Sequence, residues 1–250
     1  ALHASAKLIA GHFGFVHPPV IVSNACISGI MAIITAFRLL QTDKYEYVVI
    51  AGADVITKFI LSGFQSFQAI SDEPCKPFDA ARKGINLGEG AATIILSTKE
   101  QYQFEIQVTG GATSNDANHI SGPSRTGQEL CDAINNAIKI AGVEAEDIDF
   151  ISAHGTATLY NDEMEANAFT LAGLQSKPTY SLKGIFGHTL GAAGIIETIA
   201  AIHALREDVI LPTLGFNTIG VTKPINICST LQNQKLLNCL KTASGFGGCN

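Results

Sequence analysis

Charge is scarce in this sequence. Of 250 residues, 16 are Lys or Arg and 22 are Asp or Glu, which leaves a net charge of −6. A chain that grips phosphates needs clustered Lys and Arg, so the composition argues against a nucleic-acid partner. Long apolar runs are missing as well. No stretch reaches the roughly 18–20 residues of a membrane-spanning helix, and Ala1–Ile9, interrupted by His3 and Lys7, lacks the apolar core of a signal peptide. The six cysteines (26, 75, 131, 228, 239 and 249) include no Cys-x-x-Cys pair. That argues against a zinc site built from local spacing. Their scatter suits reduced thiols in a cytoplasm better than a disulfide framework.

What is present is apolar and glycine-rich. The apolar fraction is 46%, with 24 glycines, which predicts a globular chain with a large core, many tight turns and close contacts between elements. The length allows one large or two small domains. Ala1–Phe15 reads as a short helix and Val20–Ser23 as a strand. Ile27–Leu40 is apolar on nearly every side, the mark of a buried helix. Tyr45–Ala51 is a continuous apolar strand of the kind found in sheets covered on both faces. Ala91–Ser97 and Phe104–Thr109 read as a strand pair. Glu129–Ala141 is an amphipathic helix with Gly142 as its stop. Ile148–Ser152, Thr179–Leu182, Asn226–Cys228 and Asn238–Ser244 read as strands, and Asp162–Leu171 and Leu190–Leu205 as helices. Strands alternate with helices, so the class is α/β.

The chemistry-bearing residues stand where strands run into loops, the place where open α/β sheets collect their sites. Cys26 lies in Asn24-Ala25-Cys26-Ile27-Ser28-Gly29, between a strand and a buried helix. A helix N-terminus stabilises a thiolate, although a cysteine there is also an ordinary packing residue. His154 follows a buried strand in His154-Gly155-Thr156-Ala157-Thr158. His188 sits in the glycine-rich run Lys183–Gly194. Taken singly, each histidine reads first as a satisfied structural residue. Gly245-Phe246-Gly247-Gly248 is either a phosphate cradle without the Lys-Ser/Thr of a P-loop or a turn that aims an N–H at a developing oxyanion. A faint internal echo is present: strand, Cys26, glycine three on, buried helix; then strand, His188, glycine three on, buried helix. It suggests a duplicated half-domain.

Together these four motifs, in order and spacing, resemble the β-ketoacyl-acyl carrier protein synthases, the Cys-His-His condensing enzymes of the thiolase fold. Pro77-Phe78-Asp79 and Gly88-Glu89-Gly90-Ala91 fit the same pattern. The resemblance implies a thiolase-like layered α-β-α-β-α architecture. Residues 1–100 would be the remainder of an incomplete N-terminal half carrying the nucleophile, and 101–250 a near-complete C-terminal half carrying the histidines. It implies that Cys26 takes an acyl group from a carrier-protein thioester. His154 and His188 would help malonyl-carrier protein lose carbon dioxide and stabilise the enolate. Lys183 would support one histidine and pair with Glu165. The N–H groups of Cys26 and Phe246 would form the oxyanion hole, and Phe246 would gate the site.

The same resemblance implies no resident cofactor, since phosphopantetheine arrives on the carrier protein. The partners it implies are an acyl carrier protein, malonyl and acyl thioesters, and a second subunit, as a homodimer or a heterodimer with a related chain, with Val20–Ser23 near the two-fold. Lys76, Arg82, Lys83 and Arg125, in expected surface loops, would offer a basic patch to an acidic carrier. The implied setting is cytoplasmic fatty acid, polyene or polyketide-type synthesis. The alternative is a non-catalytic, chain-length-type partner of a ketosynthase heterodimer; such partners usually lack the cysteine. Leu159-Tyr160-Asn161-Asp162, Ser244 and Cys249 depart from the common family pattern and bear on acyl-chain specificity. The family's members are longer, so the chain reads as a piece lacking much of the first half and a final strand.

Overall fold

The structure, a computed structural model, describes residues 2–102 and 105–250; Ala1 and Phe104, the first residues of two expected elements, lie outside them. Helix α1 (Leu2–His12) buries none of its residues. The segment after it stays extended but unpaired: Val20–Ser23 is not a strand, and Val20 and Ile21 are exposed. An apolar run becomes a strand only when another strand satisfies its N–H and C=O groups, and the described residues offer Val20–Ser23 none.

Helix α2 (Ser28–Leu40) is the expected buried helix, with Gly29, Ile33, Ile34, Ala36 and Leu40 in the core. Strand β1 (Tyr47–Asp54) is followed by α3 (Lys58–Ser66), whose N-cap Thr57 accepts from Ile60 N–H. Strand β2 (Gly90–Ser97) then pairs antiparallel with β1, in register from Tyr47↔Ser97 to Asp54↔Gly90. This corrects two expectations. The partner of β2 is β1, because residues 105–109 carry no strand. Nor is β1 covered on both faces: Ile50 is buried against the helices while Tyr47 and Val49, on the other face, are exposed.

The rest of the chain builds a second sheet. Helix α4 (Gln128–Ala141) ends at Gly142, which takes the left-handed conformation (φ 70°) that the sequence predicts for a helix stop. Strand β3 (Phe150–Ser152) precedes α5 (Leu159–Leu171), β4 (Thr179–Tyr180), the single turn α6 (Lys183–Phe186) and α7 (Ala193–Glu207). A short hairpin of β5 (Val209–Ile210) and β6 (Gln232–Asn233) leads to β7 (Cys239–Lys241). β3 is the centre of a parallel sheet ordered β4-β3-β7. The expected strand Asn226–Cys228 contributes only an isolated bridge, Ile227 to Thr179.

Four layers result: the β1–β2 ribbon, then α2 and α7, then the β4-β3-β7 sheet, then α4 and α5. The α4–α5 layer closes the largest core, with Leu130, Ile134, Met164 and Phe169 against Ile151. The internal echo has a physical counterpart. A Cβ on Gly29 would stand 2.9 Å from Gly191 O, and one on Gly194 would stand 2.7 Å from Ile30 N. The glycines three past Cys26 and His188 thus let α2 and α7 touch backbone to backbone, and this contact draws the cysteine and the histidine to one point.

Candidate active site

Cys26 enters α2 from a strained turn. Ala25 holds φ at 43°, a conformation that L-residues with a Cβ rarely adopt. Ser28 pins that turn: its hydroxyl donates to Ala25 O (2.7 Å) and accepts from Asn24 N–H (2.8 Å). The thiol is buried and lies 2.9 Å from His188 Nε2. These two residues are 162 positions apart in sequence. Burial pushes the thiol up to about 11; Lys183 and the backbone N–H groups of Phe246 and Cys26 pull the other way and are outweighed. The local N–H groups act in the expected direction, toward a thiolate, but burial outweighs them.

His188 and His154 are both buried, their rings edge to face with centroids 5.3 Å apart. Burial, then Lys183, pushes His188 down to about 3. Burial, then Lys183 and His188, holds His154 well below the usual histidine range. Both rings are therefore neutral at pH 7. With the thiol protonated, Sγ–H donates to His188 Nε2. Backbone bonds hold the segment that carries His188: its backbone N–H donates to Asn86 O (2.7 Å), and Leu87 bridges His188.

Glu165 is where the pairing expected from sequence fails. It is buried on α5 and accepts from His154 N–H (2.8 Å), Gly155 N–H (2.6 Å), Asn161 Nδ2 (2.9 Å) and Thr242 Oγ1 (2.9 Å). It anchors the loop that carries His154 and is not the partner of Lys183. Lys183 Nζ instead donates to Glu197 on α7. The second oxygen of Glu197 lies 2.7 Å from Lys241 Nζ on β7. Sequence reasoning missed Glu197 and Lys241, although each carries a signal. Glu197 is the one charged residue between Ala193 and Leu205, and Lys241 the one charged residue in Asn238–Ser244.

Phe246 closes the arrangement. It stacks on Phe64 (centroids 5.3 Å) and meets Phe67 edge-on (5.3 Å), while Phe64 lies edge-on to His188 (6.4 Å). Gly247 and Gly248 hold φ at 88° and 77°, so the turn bends back under the aromatic ring. Cys26, His154, His188 and Phe246 all line one cavity of about 460 Å³. A larger cavity of about 1160 Å³, between α2, α4, α7 and β7, does not reach the thiol–imidazole pair except through the flank of Ile27. The expected basic patch is broken up. Arg82 is buried against Asp162 and Glu163, and Lys83 pairs with Glu73, which leaves Arg125 exposed and Lys76 half-buried near Glu73.

The chain matches two family models, "Beta-ketoacyl synthase, N-terminal domain" over residues 3–102 and "Beta-ketoacyl synthase, C-terminal domain" over 106–217. It is 35% identical to 3-oxoacyl-[acyl-carrier-protein] synthase 2 of Rhizobium meliloti, over 92% of this chain and 58% of that protein. It is 34% identical to a Streptomyces cyaneus protein provisionally named polyketide beta-ketoacyl synthase 1, over 96% of this chain and 61% of that one. The chain thus spans about three fifths of the length of these curated relatives. Among solved structures, the ketosynthase ApeO in complex with its chain length factor ApeC, from Xenorhabdus doucetiae, superposes with a TM-score of 0.93 at 30% identity. That match covers 100% of this chain and 63% of the other. A beta-ketoacyl synthase from Burkholderia phymatum gives 0.93 at 28% identity, over 99% and 64%.

Proposed function

Because the chain belongs to the β-ketoacyl synthase family, with matches in both its N- and C-terminal domains, we propose that it carries the condensing site of a carbon–carbon bond-forming acyltransferase. The observation that carries this reading is the Cys26–His188 contact of 2.9 Å between motifs from opposite ends of the chain.

The chemistry follows from the state of each group. As Cys26 Sγ attacks an acyl thioester, its proton passes to His188 Nε2 and then to the departing thiol, so an acyl-cysteine forms and one thioester is exchanged for another. Malonyl thioester then loses carbon dioxide. The C–C bonding pair becomes the enolate, whose oxygen is met by N–H donors from the two neutral imidazoles, His188 being in its Nε2–H tautomer once Sγ is acylated and no longer donates to that nitrogen. Donors aimed at developing negative charge are worth about 2.7–4 kcal/mol each. The carbanion attacks the acyl carbon and expels Cys26 as thiolate, which takes one proton from solvent to complete the cycle. In that step the N–H groups of Cys26 and Phe246 face the acyl oxygen. Lys183, held by Glu197 rather than Glu165, supports His188; Phe246, on its aromatic stack, gates entry. The thioesters come on an acyl carrier protein by phosphopantetheine, so the site needs no resident cofactor, and the setting is cytoplasmic fatty acid or polyketide-type synthesis. Among the described residues no helix is long and apolar enough to cross a membrane.

A second reading has one observation behind it: the solved structure at 30% identity is a ketosynthase with its chain length factor. On that reading the chain is one subunit of a heterodimer. The presence of Cys26 with His188 on its sulfur favours the catalytic subunit over the chain-length partner. The test supplies acyl- and malonyl-carrier protein to the purified protein and follows Cys26 by mass spectrometry. Acyl transfer to Cys26, then ketoacyl product, is expected. Cys26→Ala abolishes both, and His154→Ala spares transfer but suppresses decarboxylation. Condensation by Cys26→Ala at the parent rate would sink the assignment.

A further inference from the structure

Lys241 belongs to none of the four motifs, yet it touches both histidine-bearing segments. Its Nζ lies 2.7 Å from Glu197 Oε2 and donates to Thr242 O (2.7 Å), Ser152 O (3.2 Å) and Ala153 O (3.4 Å). Ser152 and Ala153 are the last two residues before His154. Glu197 is the carboxylate that holds Lys183, five residues before His188. The Lys241 side chain is 9% exposed, and all four of its neighbours are acceptors. Burial, with Lys183, draws the amine below the usual lysine range while Glu197 acts to raise it; among four acceptors it is an ammonium, because a neutral nitrogen would turn its lone pair on an oxygen.

Two ammonium groups therefore share one carboxylate in the dry interior. Resting on the reading above, we propose that Lys241 is a positioning residue of the condensing site. It ties the strand end before His154 to Glu197 on α7, and it sets a second ammonium beside the two histidines. A second buried cation is expensive, so it is tolerated where an anion is to form. A malonyl carboxylate entering, and the enolate formed from it, are such anions. The same ammonium opposes protonation of either imidazole, which would remove a base and add a third cation.

The neighbouring charges are consistent with this direction. Lys183 and Lys241 both act to lower His188 and His154, and Glu197 acts to raise His188. Burial tends to raise Glu197, but the two lysines overcome it and hold it below the usual carboxylate range. Glu165 also faces Lys241 from α5, with its oxygens taken by four donors. Cys239, on the same strand, faces Lys241, Tyr180 on β4 faces Glu197, and Cys26 and Cys75 face Lys183.

The test reads histidine titration directly. With imidazole-labelled protein, NMR midpoints of His154 and His188 are expected to rise by about one pH unit or more in Lys241→Met and to stay in place in Lys241→Arg. The acid limb of malonyl-carrier protein decarboxylation should move up by the same amount, and Arg should restore it. Lys241→Gln, which keeps a donor for the carbonyls, serves as the second neutral variant. Unmoved midpoints in a folded neutral variant would overturn the proposal. So would failure of both neutral variants to fold while the Arg variant folds and titrates as the parent, since Lys241 would then be structural only. If the midpoints move but the parent protein does not condense, the charge assignment stands and the function assigned to the site falls.

Discussion

At the sulfur of Cys26 two effects oppose one another, and their sizes decide the chemistry. The helix end and two N–H groups favour the thiolate, while removal from water favours the thiol and wins, leaving the group near 11. Below that value the thiolate fraction grows about tenfold per pH unit. Alkylation of Cys26 by iodoacetamide, followed on the Cys26 peptide, is accordingly expected to accelerate about tenfold per unit from pH 7 to pH 10 without a plateau. A plateau below pH 9 would mean that the local donors outweigh burial. His188, neutral down to about 3, adds no inflection in that range. At this scale Cys26, His154 and His188 were legible only together, through four motifs in order and spacing, since each alone reads also as a packing or structural residue. The partner of Lys183 was not legible. Spacing along the chain fixes which acid is near, not which way a lysine points. Glu165 was met first in sequence but is consumed by the N–H groups of His154 and Gly155.

Among the elements, the contact between α2 and α7 bears directly on the site, because it brings the helix after Cys26 against the helix after His188. Gly29 is the sensitive position. Its added Cβ would lie 2.9 Å from both Gly191 O and Ile195 N, which are backbone atoms that cannot swing away. Overpacking of this kind costs about 1–3 kcal/mol, and in a chain of this size each kcal/mol lowers the melting temperature by about 2–4 °C. Gly29→Ala is expected to show that loss in a thermal melt, with slower acyl transfer to Cys26. The control is Gly63→Ala on α3, where nothing lies within 4 Å and alanine is the better helix former by about 1 kcal/mol; it should hold or raise the melt. Equal effects at the two sites would discount the close approach. Helices were readable in advance because their hydrogen bonds are internal and their faces show in the period. Strands were less so. Val20–Ser23 and residues 105–109 have strand-like composition, but pairing needs a neighbour that composition does not name.

On the scale of the whole molecule, the layers are unequal. The β4-β3-β7 sheet is covered by helices on both faces, whereas the β1–β2 ribbon turns Val49 and Ile95 outward, 40% and 61% exposed. On α1 and the segment after it lies more of the same: Leu8 is 75% exposed, Phe13 67%, Val16 88% and Val20 66%. Scattered apolar residues on a surface are ordinary, but a run of this density in one segment is the signature of an interface. A net charge of −6 spread over 250 residues supplies little repulsion to keep such surfaces apart. The 250-residue chain on its own is therefore expected to self-associate at micromolar concentration, with a weight-average mass in sedimentation equilibrium that rises with loading. Val16→Asp with Val20→Asp places two charges where no partner residue waits to be disrupted, since both side chains are already in water. That variant should shift the population toward monomer while its far-UV circular dichroism stays that of the parent. A parent chain that remains monomeric at every loading would show that α1 and the segment after it are indifferent to a partner.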